Sequence, residues 1–83
     1  MDYDRQLKIR EGVVRRLTKE LAMYKEEVEQ GEVALSKISD SEDNAEWRRG
    51  YQGKLIDESK KLVLDTQQRL SSAEKQLNEL RKD

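Results

Sequence analysis

The chain has 83 residues, of which 34% are hydrophobic and 42% charged, with a net charge of −1 and no proline, cysteine, histidine or phenylalanine. Without cysteine or histidine there is no disulfide framework, thiolate nucleophile, His-based triad or Cys/His metal site. The near-zero net charge argues against a dedicated nucleic-acid binder, and no apolar run approaches the length needed to span a membrane.

A proline-free chain this rich in helix formers and charges reads as a coiled coil or long helix. The first element runs over Tyr3, Leu7, Arg10, Val14, Leu17, Leu21, Tyr24, Val28, Gly31, Leu35 and Ile38. Its steps alternate between four and three, a 3.5-residue period that predicts one helix over about residues 3–39. Arg10 and Gly31 are the two faults in the stripe, and Ile9 and Val13 widen it near the basic end.

Residues 39–46, SDSEDNAE, form the one cluster of small polar residues. Ser39 with Glu42, and Asp43 with Glu46, have capping-box spacing, which predicts a turn over about 40–43. A second helix is then expected over about 44–82. Its seam is Ile56, Ser59, Val63, Thr66, Leu70, Ala73, Leu77 and Leu80, flanked by a line of Trp47, Tyr51, Leu55 and Leu62. The expected fold is all-α: a single domain over residues 1–83, folded as a long antiparallel helical hairpin. Leu7, Val14, Leu17, Leu21, Val28, Leu35, Ile56, Val63, Leu70 and Leu77 form its packing seam.

Reversing the chain at residue 41 pairs Leu35 with Trp47, Gly31 with Tyr51, Val28 with Leu55, Tyr24 with Ser59, Leu21 with Leu62 and Leu7 with Leu77. Trp47 then closes the turn end over Leu35 and Ile38; the alternative is an exposed anchor that buries on binding. The breadth around Ile9, Val13, Leu55, Leu62 and Leu64 exceeds what one partner helix covers and is expected to face water. Asp57 and Lys61 are spaced for a helical i,i+4 ion pair.

Charge is distributed unevenly. Residues 1–22 hold six basic and four acidic residues, 25–46 hold two and eight, and 48–83 hold nine and six. A hairpin would therefore have an acidic turn end and a mildly basic open end. Lys8, Arg15, Arg16 and Lys19 are either a solvated face or a docking surface for an acidic partner. Glu26, Glu27, Glu29 and Glu32 read as a solvated face. No carboxylate stands in an apolar cleft, and a two-helix rod offers no enclosed pocket, so catalysis and a small-molecule substrate are not expected.

Residues 7–29, LKIREGVVRRLTKELAMYKEEVE, and residues 55–70, LIDESKKLVLDTQQRL, resemble the first and second helices of the tubulin-folding cofactor A (tubulin-specific chaperone A) family. The resemblance covers most of the chain in two ordered segments. It implies a helical cytoplasmic protein related to the first two helices of a three-helix bundle, associated with the cytoskeleton, with no enzymatic activity and no cofactor. It also implies a tubulin-folding role: capture of beta-tubulin, a partner from a strongly acidic protein class, before handover to later cofactors in heterodimer assembly. Positions matching the family pattern are Lys8, Arg10, Arg15, Arg16, Lys19, Glu20, Tyr24, Glu26 and Glu29, then Glu58, Ser59, Lys60, Asp65, Gln67 and Arg69. Of these, Lys8, Arg15, Arg16, Lys19, Tyr24, Glu58, Lys60 and Asp65 are the protein-binding candidates, although Tyr24 also lies on the seam. Leu64 stands where that second segment usually has a proline, so a straighter helix is expected. The alternative reading is a structural coiled-coil module whose partner is a second copy, forming a homodimer with Ile9, Val13, Leu55 and Leu62 at the interface. Neither reading involves nucleic acid or a membrane.

Overall fold

The computed structural model describes residues 2–82. Two α-helices, α1 (Asp2–Ser36) and α2 (Ala45–Arg81), lie side by side. They form a rod with principal extents of 64 × 14 × 14 Å. The connection occupies residues 37–44, so α1 stops at Ser36 rather than near residue 39.

The 3.5-residue stripe is the contact line. On α1, Leu17 is buried, and Leu7, Arg10, Val14, Leu21, Tyr24, Val28, Gly31 and Leu35 are half-buried, while Tyr3 at the open end is exposed. On α2 the inward residues are Ala45, Arg49, Gln52, Ile56, Ser59, Val63, Thr66, Leu70, Ala73, Leu77 and Leu80. Their steps of four and three continue unbroken from the turn to the C-terminal end. Left-handed supercoiling keeps such a line facing its partner over many turns.

The register differs from the one expected. Gly31 faces Ile56, not Tyr51: a Cβ on Gly31 would stand 2.8 Å from Ile56 Cγ1. Gln52 Nε2 donates to the Gly31 carbonyl at 3.4 Å, Arg49 Nη2 to the Ile38 carbonyl at 3.1 Å, and Arg10 Nη1 to Gln76 Oε1 at 3.2 Å. The pairs Gly31–Ile56, Ile38–Arg49 and Arg10–Gln76 centre the reversal on residues 43–44, not 41. Asn44 makes the reversal with φ 62° and ψ 26°. Asparagine enters this left-handed region at lower cost than most residues because its short polar side chain suits it.

The shift removes the expected role of Trp47. The residues that occupy the seam at that level are Ala45, Arg49 and Gln52, and Trp47 is 69% exposed. It stacks on Tyr51 with ring centroids 5.5 Å apart and planes 3° from parallel. Leu35 therefore does not meet Trp47 in a closed turn end.

The expected caps are also replaced. In the left-handed region the Asn44 side chain makes no capping hydrogen bond to α2. A capping residue needs extended dihedrals to aim its oxygen back at the helix. The acidic turn residues bind arginines of the first turns of α2 instead: Glu42 holds Arg48 at 2.8 Å, and Asp40 pairs with Arg49. Ser39 ties the turn with its Oγ 2.8 Å from that of Ser41, while its carbonyl accepts from the Glu42 amide at 3.1 Å. Asp57 and Lys61 form no ion pair. The pairs present among the described residues are Arg48–Glu42, Arg49–Asp40, Arg16–Glu20, Arg69–Asp65 and Arg81–Glu11.

Gly31 lies directly against Ile56, leaving no room for a Cβ, and the Ile56 branch opposite it is stiff. Overpacking there costs about 1–3 kcal/mol, against about 1 kcal/mol gained in helix propensity. Gly31→Ala is accordingly expected to lower the thermal midpoint. Gly12→Ala places its methyl with nothing within 4 Å and should raise it. Thermal unfolding of both variants followed by circular dichroism checks the pair, and a stabilised Gly31→Ala protein would contradict this register.

Candidate protein-interaction surface

The hairpin leaves two long flanks where the helices meet. On the first, Val13 and Arg16 border a hollow with Asp65, Arg69, Ser72 and Gln76. Two heptads along α1, Glu27 and Gln30 border another with Gln52, Leu55 and Ser59. Both hollows lie on one side because residues fourteen apart share a phase in a 3.5-residue repeat. Leu62, one heptad from Leu55, shares its phase, as Met23 does with Arg16 and Ile9. This flank therefore carries exposed Ile9, Met23, Leu55 and Leu62 along its length.

On the second flank, Glu11, Val14 and Arg15 border a hollow with Glu74, Leu77, Asn78 and Arg81, bridged by Arg81 Nη2 donating to Glu11 at 2.8 Å. Further toward the turn, Lys25 and Val28 border a hollow with Lys60, Val63 and Leu64. Leu64 is 62% exposed. Of the residues expected to exceed one partner helix's reach, Ile9, Leu55, Leu62 and Leu64 are exposed, and Val13 is half-buried.

The structure divides the sequence-derived candidates. Lys8, Arg15, Arg16, Lys19, Glu58, Lys60 and Asp65 are all exposed, and Tyr24 is half-buried in the seam. Arg15 and Arg16 do not act as one patch, since a step of about 100° per residue sends them to opposite flanks. Arg16 shares its hollow with Asp65, and Lys60 shares one with Lys25. Asp65 is engaged by Arg69 at 3.2 Å, and Arg16 lies 3.9 Å from Glu20. Exposed pairs of this kind contribute about 0–1 kcal/mol, so they leave the groups free to exchange partners.

Two features escaped sequence reading. Lys25 lay outside the candidates because its neighbour Lys60 is on the other helix. The inward run Ala45–Arg49–Gln52 is masked in the sequence by the more apolar Trp47, Tyr51 and Leu55 beside it. Extending the four–three steps backward from Ile56 would have found it. Among the described residues, no group of three His, Cys, Asp or Glu side chains is placed to hold a metal. No described helix is long and apolar enough to cross a membrane.

The family profile described as Tubulin binding cofactor A matches residues 2–83. The chain belongs to this family. The tubulin-specific chaperone A of Mus musculus is 38% identical over 76 residues, which is 92% of this chain and 69% of that protein. For the Homo sapiens protein of the same name the identity is 39% over 69 residues, covering 83% of this chain and 63% of that one. The Gallus gallus relative is 37% identical over 76 residues. No solved structure matches the chain significantly. Within the cofactor A family this member has Leu64 in an α2 that continues without interruption from Ala45 to Arg81.

Because Trp47 and Tyr51 stack in the open, removing the indole should leave stability within about 0.5 kcal/mol. Trp47→Ala is expected to unfold at nearly the native midpoint, and the native protein to show the red-shifted emission of a hydrated indole. Blue-shifted emission from the isolated chain would mean that Trp47 is covered.

Proposed function

We propose that this chain is a tubulin-folding cofactor, which captures beta-tubulin and holds it for later steps of heterodimer assembly. Membership of the tubulin binding cofactor A family supports this reading, together with relatives named tubulin-specific chaperone A. The observation that carries it physically is the 64 Å rod, with exposed Ile9, Met23, Leu55 and Leu62 along one flank and Leu64 on the other, set between charges. Such a surface offers many shallow contacts along a line. It suits a large protein client better than a small molecule, which needs an enclosing cavity.

The mechanism needs no catalysis and no nucleotide. A chain that binds a near-native client, and not its unfolded form, shifts the client's equilibrium by mass action. Ile9, Leu55, Leu62 and Leu64 would cover apolar client surface that otherwise aggregates. The exposed cations Lys8, Arg15, Arg16, Lys19 and Lys60 would speed encounter with an acidic partner. Glu58 and Asp65 would set orientation, and Tyr24 would contribute through its half-exposed edge. Release follows when a later factor competes for the same client surface. Such a protein works in the cytoplasm beside the tubulin pool and needs no membrane or nucleic acid; the stacked Trp47 and Tyr51 lie at the turn end, away from Arg15, Arg16 and Lys19.

One observation favours a second reading. Ile9, Met23, Leu55 and Leu62 share one flank, and a second hairpin on that flank would close a four-helix homodimer. Its role would then be structural.

The immobilised folded chain is expected to retain purified beta-tubulin at micromolar concentration and to release it in high salt. In sedimentation equilibrium without tubulin, the chain should be monomeric across the micromolar range. A folded chain that retains no tubulin but sediments as a tight dimer would replace the cofactor reading with the structural one.

A further inference from the structure

The hollow between Lys25, Val28, Lys60, Val63 and Leu64 differs from the others along the rod. It measures about 330 Å³, and its walls are aliphatic side chains and the stems of two lysines. The hollows at Arg15, Arg16 and Glu27 each include at least one carboxylate, whereas this one has none. Lys25 and Lys60 come from different helices, both are exposed, and neither belongs to an ion pair among the described residues. Leu64 stands out of the wall at 62% exposure. The hollow also lies apart from the broad apolar flank: Leu62 and Leu64, two residues apart, point to opposite sides of α2.

We infer that this trough is a docking site for an acidic protein segment that presents one large apolar side chain between carboxylates. The inference rests on the cofactor reading, since it assigns that segment to the tubulin client. The physical reasons are additive. An apolar side chain set against Val28, Val63 and Leu64 removes aliphatic surface from water. A neutral partner would crowd the two ammonium groups without pairing them, at a desolvation cost. A basic partner would be repelled. Carboxylates on either side of the inserted side chain meet both cations while the lysine stems stay on the apolar wall. Glu29 and Glu32, four and seven residues after Lys25 and so on its side of α1, would repel an extended anionic surface such as a lipid bilayer. A narrow protein segment avoids them.

The test measures affinity of the full chain for purified tubulin, with the variants Lys25→Glu/Lys60→Glu and Leu64→Ser. All three positions line the surface, so each variant should keep native helicity by circular dichroism. Lys25→Gln/Lys60→Gln serves as a second, milder variant if charge reversal disturbs folding. Each variant is expected to bind tubulin at least about tenfold more weakly. The native complex should weaken with added salt, and the charge-reversed variant should show a shallower salt dependence. If the native chain binds tubulin and the variants bind equally well, the trough is overturned while the cofactor reading stands. If the folded native chain does not bind tubulin, both fall. Co-flotation with phosphatidylserine vesicles that the same variants abolish, with tubulin binding unchanged, would overturn the assignment to a protein segment.

Discussion

The seam between α1 and α2 holds the described residues together, and the other properties of the rod depend on its phase. Among the described residues neither helix has another element to bury its apolar stripe against, and long isolated helices gain most of their stability from such packing. Among the described residues the buried ones are Leu17, Ala45, Ile56, Thr66, Ala73 and Leu77. Several are small. The seam therefore works with small residues, as where Gly31 leaves room for Ile56, rather than by a thick core.

A seam of this kind couples the turn to the surface. Asn44 in the left-handed region sets where the chain reverses, and the reversal sets which α2 residue lies opposite each α1 residue. Moving it from residue 41 to 43–44 turns Ala45, Arg49 and Gln52 inward and puts Trp47 and Tyr51 in solvent. Arg49 then reaches the Ile38 carbonyl and Asp40, and Arg48 reaches Glu42. The acidic turn is thus a clamp for two arginines more than a helix cap. The same register brings Lys25 to Lys60 and Arg16 to Asp65, pairs that define the chemistry of the two flanks.

Much of this was legible from residue spacing. The four–three stripe on α1 names its inward residues from Leu7 to Leu35, and the stripe on α2 does so from Ile56 to Leu80, because a 3.5-residue period admits one face only. Arg10 and Gly31 looked like faults and proved to be contacts, one donating to Gln76 and the other admitting Ile56. The turn was visible as a polar cluster, but its geometry was not. Capping-box spacing occurs twice within 39–46, and local pattern does not decide between a capped start and a left-handed reversal. Hydrophobicity misled at Trp47 and Tyr51, where the periodic positions belong to Ala45, Arg49 and Gln52. The individual surface cations were evident, yet the grouping of Lys25 with Lys60 required contacts across residues far apart in the chain.

The sequence by itself determined that the protein is helical, that it doubles back once in an acidic turn, and that its apolar residues exceed what one seam can hide. Period, composition and the absence of proline are local properties, and local properties suffice for those conclusions. The tertiary structure alone decided the register, the exposure of the stacked aromatics and the division of charge between two flanks. In an antiparallel pair of long helices these depend on one reversal point, whose displacement by a few residues re-pairs every position along the rod.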